Sequence, residues 1–235
     1  MKKIVGFDQK VQLDYLDYMA LAIPHYEQKK LYQQVDEYLA QKISNERTRN
    51  KTRTLIFKIW YHVPEAHRHV QQQALSLFPQ LNPSERLLLH WGLTILAYPF
   101  VRDFVQELGY FFRLQDSVPT MQLMRRMKQL YGDRRRVEVA TKAVITTLRS
   151  WGVLRSSQPG VQKKGEPIQV YDSQLKQWLT EVLLLATQVT AMRKEMINEH
   201  PLFFPFEFQV SVDELDDQRF AKIRQGVDIM MVGLK

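Results

Sequence analysis

Asn82-Pro83-Ser84-Glu85 spells out a helix start: an asparagine to cap, a proline preset for the first turn, and a glutamate three residues on that reaches back to the cap. The helix it opens carries Leu87, Leu88, Leu89, Trp91, Leu93, Ile95 and Leu96, so it is apolar on most sides and belongs at the centre of a core. A helix with no solvent face must be wrapped by other helices. The chain has 235 residues but only 9 Gly and 10 Pro, so there is little punctuation to shorten those helices.

The flanking sequence supplies the wrapping. From Asp14 to Lys42, Leu16, Met19, Ala20 and Ile23, then Leu31, Val35, Leu39 and Ile43, recur at helical spacing, with Pro24 dividing them into two helices. Ser44 is a candidate cap for the next helix, whose apolar stripe runs Thr52, Leu55, Ile56, Ile59, Trp60, Val63 and stops at Pro64. A further helix is expected from Glu65 to Phe78. Tyr98-Pro99 closes the central helix, and Phe100, Val101, Phe104, Val105, Leu108, Phe111 and Phe112 mark another core-facing one. Residues 1–116 thus read as a helical bundle.

Residues 117–172 have a different rhythm. A short helix from Pro119 to Tyr131, carrying Met121, Met124, Met127 and Leu130, stops at Gly132. Asp133 is the candidate cap of a second helix that buries Val137, Val144, Ile145, Leu148 and Trp151. Two strands are expected next, Val153 to Ser157 and Pro167 to Tyr171, flanking a loop from Gln158 to Glu166 that holds Lys163 and Lys164. Helix, turn, helix, strand, basic loop, strand is the order of a winged helix-turn-helix, in which the second helix enters the major groove and the wing touches the backbone. A structural helix followed by a hairpin would read the same way.

In residues 173–235, Asp172-Ser173 caps a helix expected to run to about His200. Phe204, Phe206, Phe208, Val210 and Val212 then suggest a strand, Asp213 to Gln225 a short polar helix, and Val227 to Leu234 a final strand. The expected fold class is therefore mainly α: a helical bundle, a winged-helix-like segment and a small strand-helix-strand element at the C-terminus.

Charge narrows the function. Lys plus Arg number 33 against 25 Asp plus Glu, a net +8 that suits a polyanionic partner. Cys is absent, which removes disulfides, thiol nucleophiles and thiolate metal sites and fits a reducing cytoplasm. The N-terminal Met1-Lys2-Lys3-Ile4 lacks the apolar stretch of an export signal, and no apolar run approaches a membrane span.

The cations cluster. Lys42, Arg47, Arg49, Lys51, Arg53 and Lys58 face Glu46 alone, and between Arg125 and Arg155 nine cations face only Asp133 and Glu138. On the second helix of the middle segment, Arg135, Lys142, Thr146 and Arg149 share one side that Val139 alone interrupts, a surface suited to phosphates and base edges. The expected nucleic-acid contacts are Arg134, Arg135, Lys142, Thr146 and Arg149 on that helix and Lys163 and Lys164 on the wing. Arg47, Arg49, Lys51 and Arg53 form an auxiliary phosphate-tracking surface.

No catalytic carrier is visible: there is no phosphate-binding Gly loop and no nucleophile elbow. His62, Glu65, His67 and His69 lack a zinc-helix spacing, and Asp213, Glu214, Asp216 and Asp217 sit where a helix start favours acids. No metal or cofactor is therefore expected, and no enzyme activity. The run Phe203-Phe204-Pro205-Phe206-Glu207-Phe208 has the composition of a base-stacking surface, but is expected to pack on the helix of residues 175–189, or to offer a dimer edge.

The stretch Arg47-Thr48-Arg49-Asn50-Lys51-Thr52-Arg53 leading to Ile59-Trp60, then Tyr98-Pro99-Phe100-Val101-Arg102-Asp103-Phe104, then Thr141-Lys142 to Trp151-Gly152-Val153-Leu154, resembles BrxA proteins, small subunits of bacteriophage-exclusion (BREX) defence systems. The likeness covers residues 40–172. It implies a helical, antitermination-factor-like (NusB-like) fold with DNA-binding ability and no catalysis of its own, working among other defence-system proteins. The residues after Phe203 fall outside that pattern. Double-stranded DNA is the expected ligand. A protein-interaction subunit and an RNA-binding bundle remain the alternatives.

Overall fold

The computed structural model describes residues 3–226 and 229–235; Met1, Lys2, Val227 and Asp228, which enter the readings of the N-terminus and the final strand, lie outside them. The protein is mainly helical with a few small strands. In chain order it runs α1 (Leu13–Ala22), α2 (Gln28–Lys42), α3 (Glu46–Trp60), α4 (Arg68–Leu77), α5 (Pro83–Ala97), α6 (Pro99–Leu114), β1 (Ser117–Pro119), α7 (Thr120–Tyr131) and α8 (Arg135–Ser150). Then come β2 (Leu154–Gln158), β3 (Val161–Lys164), β4 (Ile168–Gln169), α9 (Ser173–Thr187), β5 (Ala191–Arg193), α10 (Lys194–Asn198), β6 (Phe206–Glu207), β7 (Phe220–Gln225) and β8 (Ile229–Leu234). No helix among the described residues is long and apolar enough to cross a membrane.

α5 is the axis. Its start forms the full capping box, with Asn82 accepting from the Glu85 backbone and Glu85 accepting from that of Asn82, and every residue from Leu87 to Ile95 is buried. α1, α3, α6 and α9 pack around it. The buried ring nitrogens of this core find partners. Trp60 Nε1 donates to His90 Nδ1 at 3.0 Å, leaving His90 Nε2 to donate to Asp17 at 2.9 Å, and burial holds this imidazole below its usual pKa. Trp91 and Trp178 donate to the carbonyls of Leu202 and Val70. A single apolar cluster runs from Val5 to Val232.

Several local expectations are corrected. Asn45, not Ser44, caps α3, accepting from the Thr48 backbone. Residues 65–78 divide into a 3-10 turn, Glu65–His67, and α4. Arg134, not Asp133, precedes α8, because Asp133 turns to Lys128 at 2.8 Å. α9 ends at Thr187, where Gln188 adopts a left-handed backbone (φ 56°), so it stops short of His200.

The hairpin is shorter than expected. Pro159-Gly160, with Gly160 at φ +77°, turns β2 directly into β3, and β1 pairs with the other edge of β3 to give a three-stranded sheet of order β1-β3-β2. Ile168–Gln169, expected as the second wing strand, instead pairs in parallel with Phe206–Glu207. The polar helix expected over residues 213–225 is a 3-10 turn, Val212–Glu214, followed by strand β7. β7 joins β8 and β5 in a second sheet of order β5-β8-β7. Of the long strand expected from Phe204, only β6 forms. Its aromatic run finds ring partners on α5 and α6, with Phe204 and Phe206 on Trp91 and Phe204 on Phe112.

Candidate nucleic-acid interface

α8 divides cleanly along its length. Val137, Ala140, Thr141, Val144, Ile145, Thr147 and Leu148 are buried. Thr147 and Trp151 fasten the helix to the N-terminal segment, accepting from the Val11 backbone at 3.1 Å and donating to its carbonyl at 3.0 Å. With the inner face fixed, Arg135, Val139, Lys142, Thr146 and Arg149, spaced four, three, four and three apart, form the opposite stripe. Arg136, counted in the basic cluster but not placed on this face by its spacing, is exposed beside Arg135.

The stripe is chemically graded. Lys142 and Arg136 are exposed and make no ion pair among the described residues. Arg135 meets Glu138 at 3.2 Å. Glu138 also holds Lys128 at 2.7 Å, and these cations draw its pKa below the ordinary carboxylate range, so it stays ionised. The Thr146 hydroxyl turns back to donate to the carbonyls of Lys142 (3.0 Å) and Ala143 (2.9 Å), which leaves its methyl outward. Arg149 is engaged by the hairpin: its Nε donates to Gln162 Oε1 at 2.9 Å and a second nitrogen reaches Ser156 at 3.4 Å.

Gln162 is fully buried and also donates to Thr120 at 2.8 Å, so one amide locks α8, the start of α7 and β3 together. No sequence pattern flagged it. Arg134 is likewise structural, donating to the carbonyls of Lys3 and Tyr131.

Strand pleating separates the two wing lysines. Lys163 lies across from Arg155, and Lys164 across from Leu154. Neighbouring residues of a strand point to opposite faces, so Lys163 lies on the outer face and Lys164 on the face of the buried Gln162. Arg155 pairs with Glu166 at 2.8 Å.

The α3 cluster is largely closed by the protein's own acids. Arg53 and Arg49 both meet Asp36 of α2, at 2.6 and 3.6 Å, and Lys51 meets Asp8 at 3.1 Å. Arg47 alone of the four is exposed without an ion pair among the described residues, beside a shallow depression formed with Asn50 and Thr54. The two clusters thus leave different cations open among the described residues: Arg136 and Lys142 on α8, and Arg47 of the four on α3.

Other sequence candidates are dispersed. Tyr32 meets His62 at 2.6 Å, Glu181 meets His69 at 3.1 Å, and Arg68 meets Glu65 at 2.7 Å. Glu214 pairs with Lys176, and Asp217 with Lys222. No group of three or more metal-ligating side chains occurs among the described residues. No protein family, curated protein or solved structure matches this chain.

Proposed function

We propose that residues 99–164 form a winged helix unit whose α8 enters the major groove of double-stranded DNA while the β2–β3 hairpin lies on the adjoining backbone. The observation that carries this reading is the pair of exposed, unpaired cations on α8, Arg136 and Lys142, set on a helix-strand-helix-helix-hairpin connectivity in which Arg149 and Gln162 fasten the helix to the hairpin. Arg135, Arg136 and Lys163 are assigned to phosphates and Lys142 to a base edge, with Arg149 as the residue that positions the hairpin. In this reading the protein is a non-catalytic subunit of a phage-exclusion system working beside other defence proteins, a role supported by the resemblance of residues 40–172 to BrxA proteins, with residues 1–116 read as a NusB-like bundle.

The test is fluorescence anisotropy on a labelled duplex over a salt series. With the three phosphate contacts assigned, affinity should fall roughly 40-fold between about 50 and 200 mM salt. Replacing Arg136 and Lys142 with Glu should abolish binding while the far-ultraviolet dichroism stays unchanged. Binding that ignores both salt and this double substitution removes the proposal. A preference for structured RNA over duplex DNA in direct competition would favour the RNA-binding alternative.

A further inference from the structure

Where the C-terminal end of α6, the end of β3 and residues 198–208 meet, Gly109, Phe112, Arg113, Lys164, His200 and Phe204 line an open cleft of about 270 Å³. Phe112 and Phe204 lie 5.4 Å apart between ring centroids and are only partly buried, so they present aromatic surface, backed by the buried Phe203, Phe206 and Phe208. The cleft exists because Gly109 lets the Pro201–Phe203 turn approach closely: a side chain at 109 would come within 2.2 Å of the Pro201 carbonyl oxygen.

Charge sets this cleft apart from two others of similar size. One holds Arg219, which is spent on Glu181 and Gln73, and the other holds Lys176, which is spent on Glu214. Here Arg113 and Lys164 are both exposed, and neither makes an ion pair among the described residues. Glu199 borders the cleft, is exposed and pairs with neither of them. Asn198 is already satisfied by Gln209 and the Val210 backbone. His200 Nδ1 accepts from the Leu202 backbone at 3.3 Å, so Nε2 carries the ring proton and is a neutral donor.

We propose that this cleft binds a small planar organic anion, a single aromatic ring bearing a phosphate or carboxylate. The ring would lie against Phe112 and Phe204, and the anionic group between Arg113 and Lys164 within reach of His200 Nε2. Two unpaired cations over an aromatic floor, with one oriented neutral donor, match that chemistry. The volume is ample for one ring with its anionic group.

Phenyl phosphate is the probe, titrated into the full chain by calorimetry, with inorganic phosphate and benzyl alcohol as the ring-less and charge-less controls. Saturable one-to-one binding is expected, weakened about tenfold or more by Arg113→Ala or Lys164→Ala, as the loss of a charge-assisted hydrogen bond implies. Lys142→Glu, which alters the α8 stripe, should leave it unchanged. Three results overturn the proposal: no saturation by phenyl phosphate, equal binding of inorganic phosphate, or full affinity in the Arg113→Ala, Lys164→Ala double variant. Because both substitutions are at exposed positions, loss of the fold does not cloud the readout.

Discussion

Glu138 is the one acid on α8, and under the proposed function its position would make it a brake on phosphate contact. It occupies Arg135 and Lys128 at once. Glu138→Gln should release Arg135, while Lys128 keeps Asp133, and so raise duplex affinity several-fold at low salt and steepen the salt dependence by about one contact, as measured in the same anisotropy series. A weaker affinity would mean that Glu138 holds the helix in shape instead. The centre of the stripe predicts a sequence preference as well. Val139, Lys142 and the outward methyl of Thr146 present methyl, ammonium and methyl in succession, which suits thymine methyls on either side of a guanine. Selection from a random duplex pool should enrich that pattern, and Val139→Ser should relax it without changing the salt slope. The stripe was legible in the sequence because α8 keeps a regular 3.6-residue period. The closure of Arg49 and Arg53 was not, since Asp36 lies on another helix and no local spacing announces it.

Elements were readable wherever the signal is local. The Asn82 capping box and Asp172 at the start of α9 satisfy backbone donors from within a few residues, Tyr98-Pro99 separates α5 from α6 with a residue that has no N–H to satisfy, and the helices begin at these positions. Readability failed where pairing partners decide. Residues 213–225, rich in acids, Gln, Lys and Arg, favour a helix by composition, yet Phe220–Gln225 becomes a strand because β8 offers it a full antiparallel ladder. The second wing strand was misplaced for the same reason: Ile168 finds Phe206, far away in sequence, while Pro159-Gly160 gives β3 a nearer turn. At this scale the close approach of α6 to residues 201–203 makes a prediction. Gly109→Ala must displace the Pro201 backbone, which should cost about 1–3 kcal/mol in urea unfolding and leave duplex affinity of the folded protein unaltered. An unshifted midpoint would mean that this junction yields freely.

The whole molecule carries a common acid sensitivity. Burial lowers the pKa of His67, His69, His90 and His200, the last to about 4 from its ordinary 6.5. The unfolded chain therefore binds more protons than the native one at mildly acid pH, so the stability these groups contribute is complete above about pH 6.5 and drains away as pH falls below it. Guanidinium unfolding should show a lower midpoint at pH 5 than at pH 7, and His200→Gln should flatten part of that decline. A midpoint that holds or rises on acidification contradicts the assignment. Against this background the amide of Gln162 has a larger consequence than its size suggests. By joining α8, α7 and β3 it ties helix to hairpin, so under the proposed function a duplex arriving at this surface would meet a preformed mould. Little loop ordering would be left to oppose association. Any mismatch of curvature would have to be absorbed by bending the nucleic acid, which favours flexible pyrimidine–purine steps at the rim of the site over stiff adenine tracts.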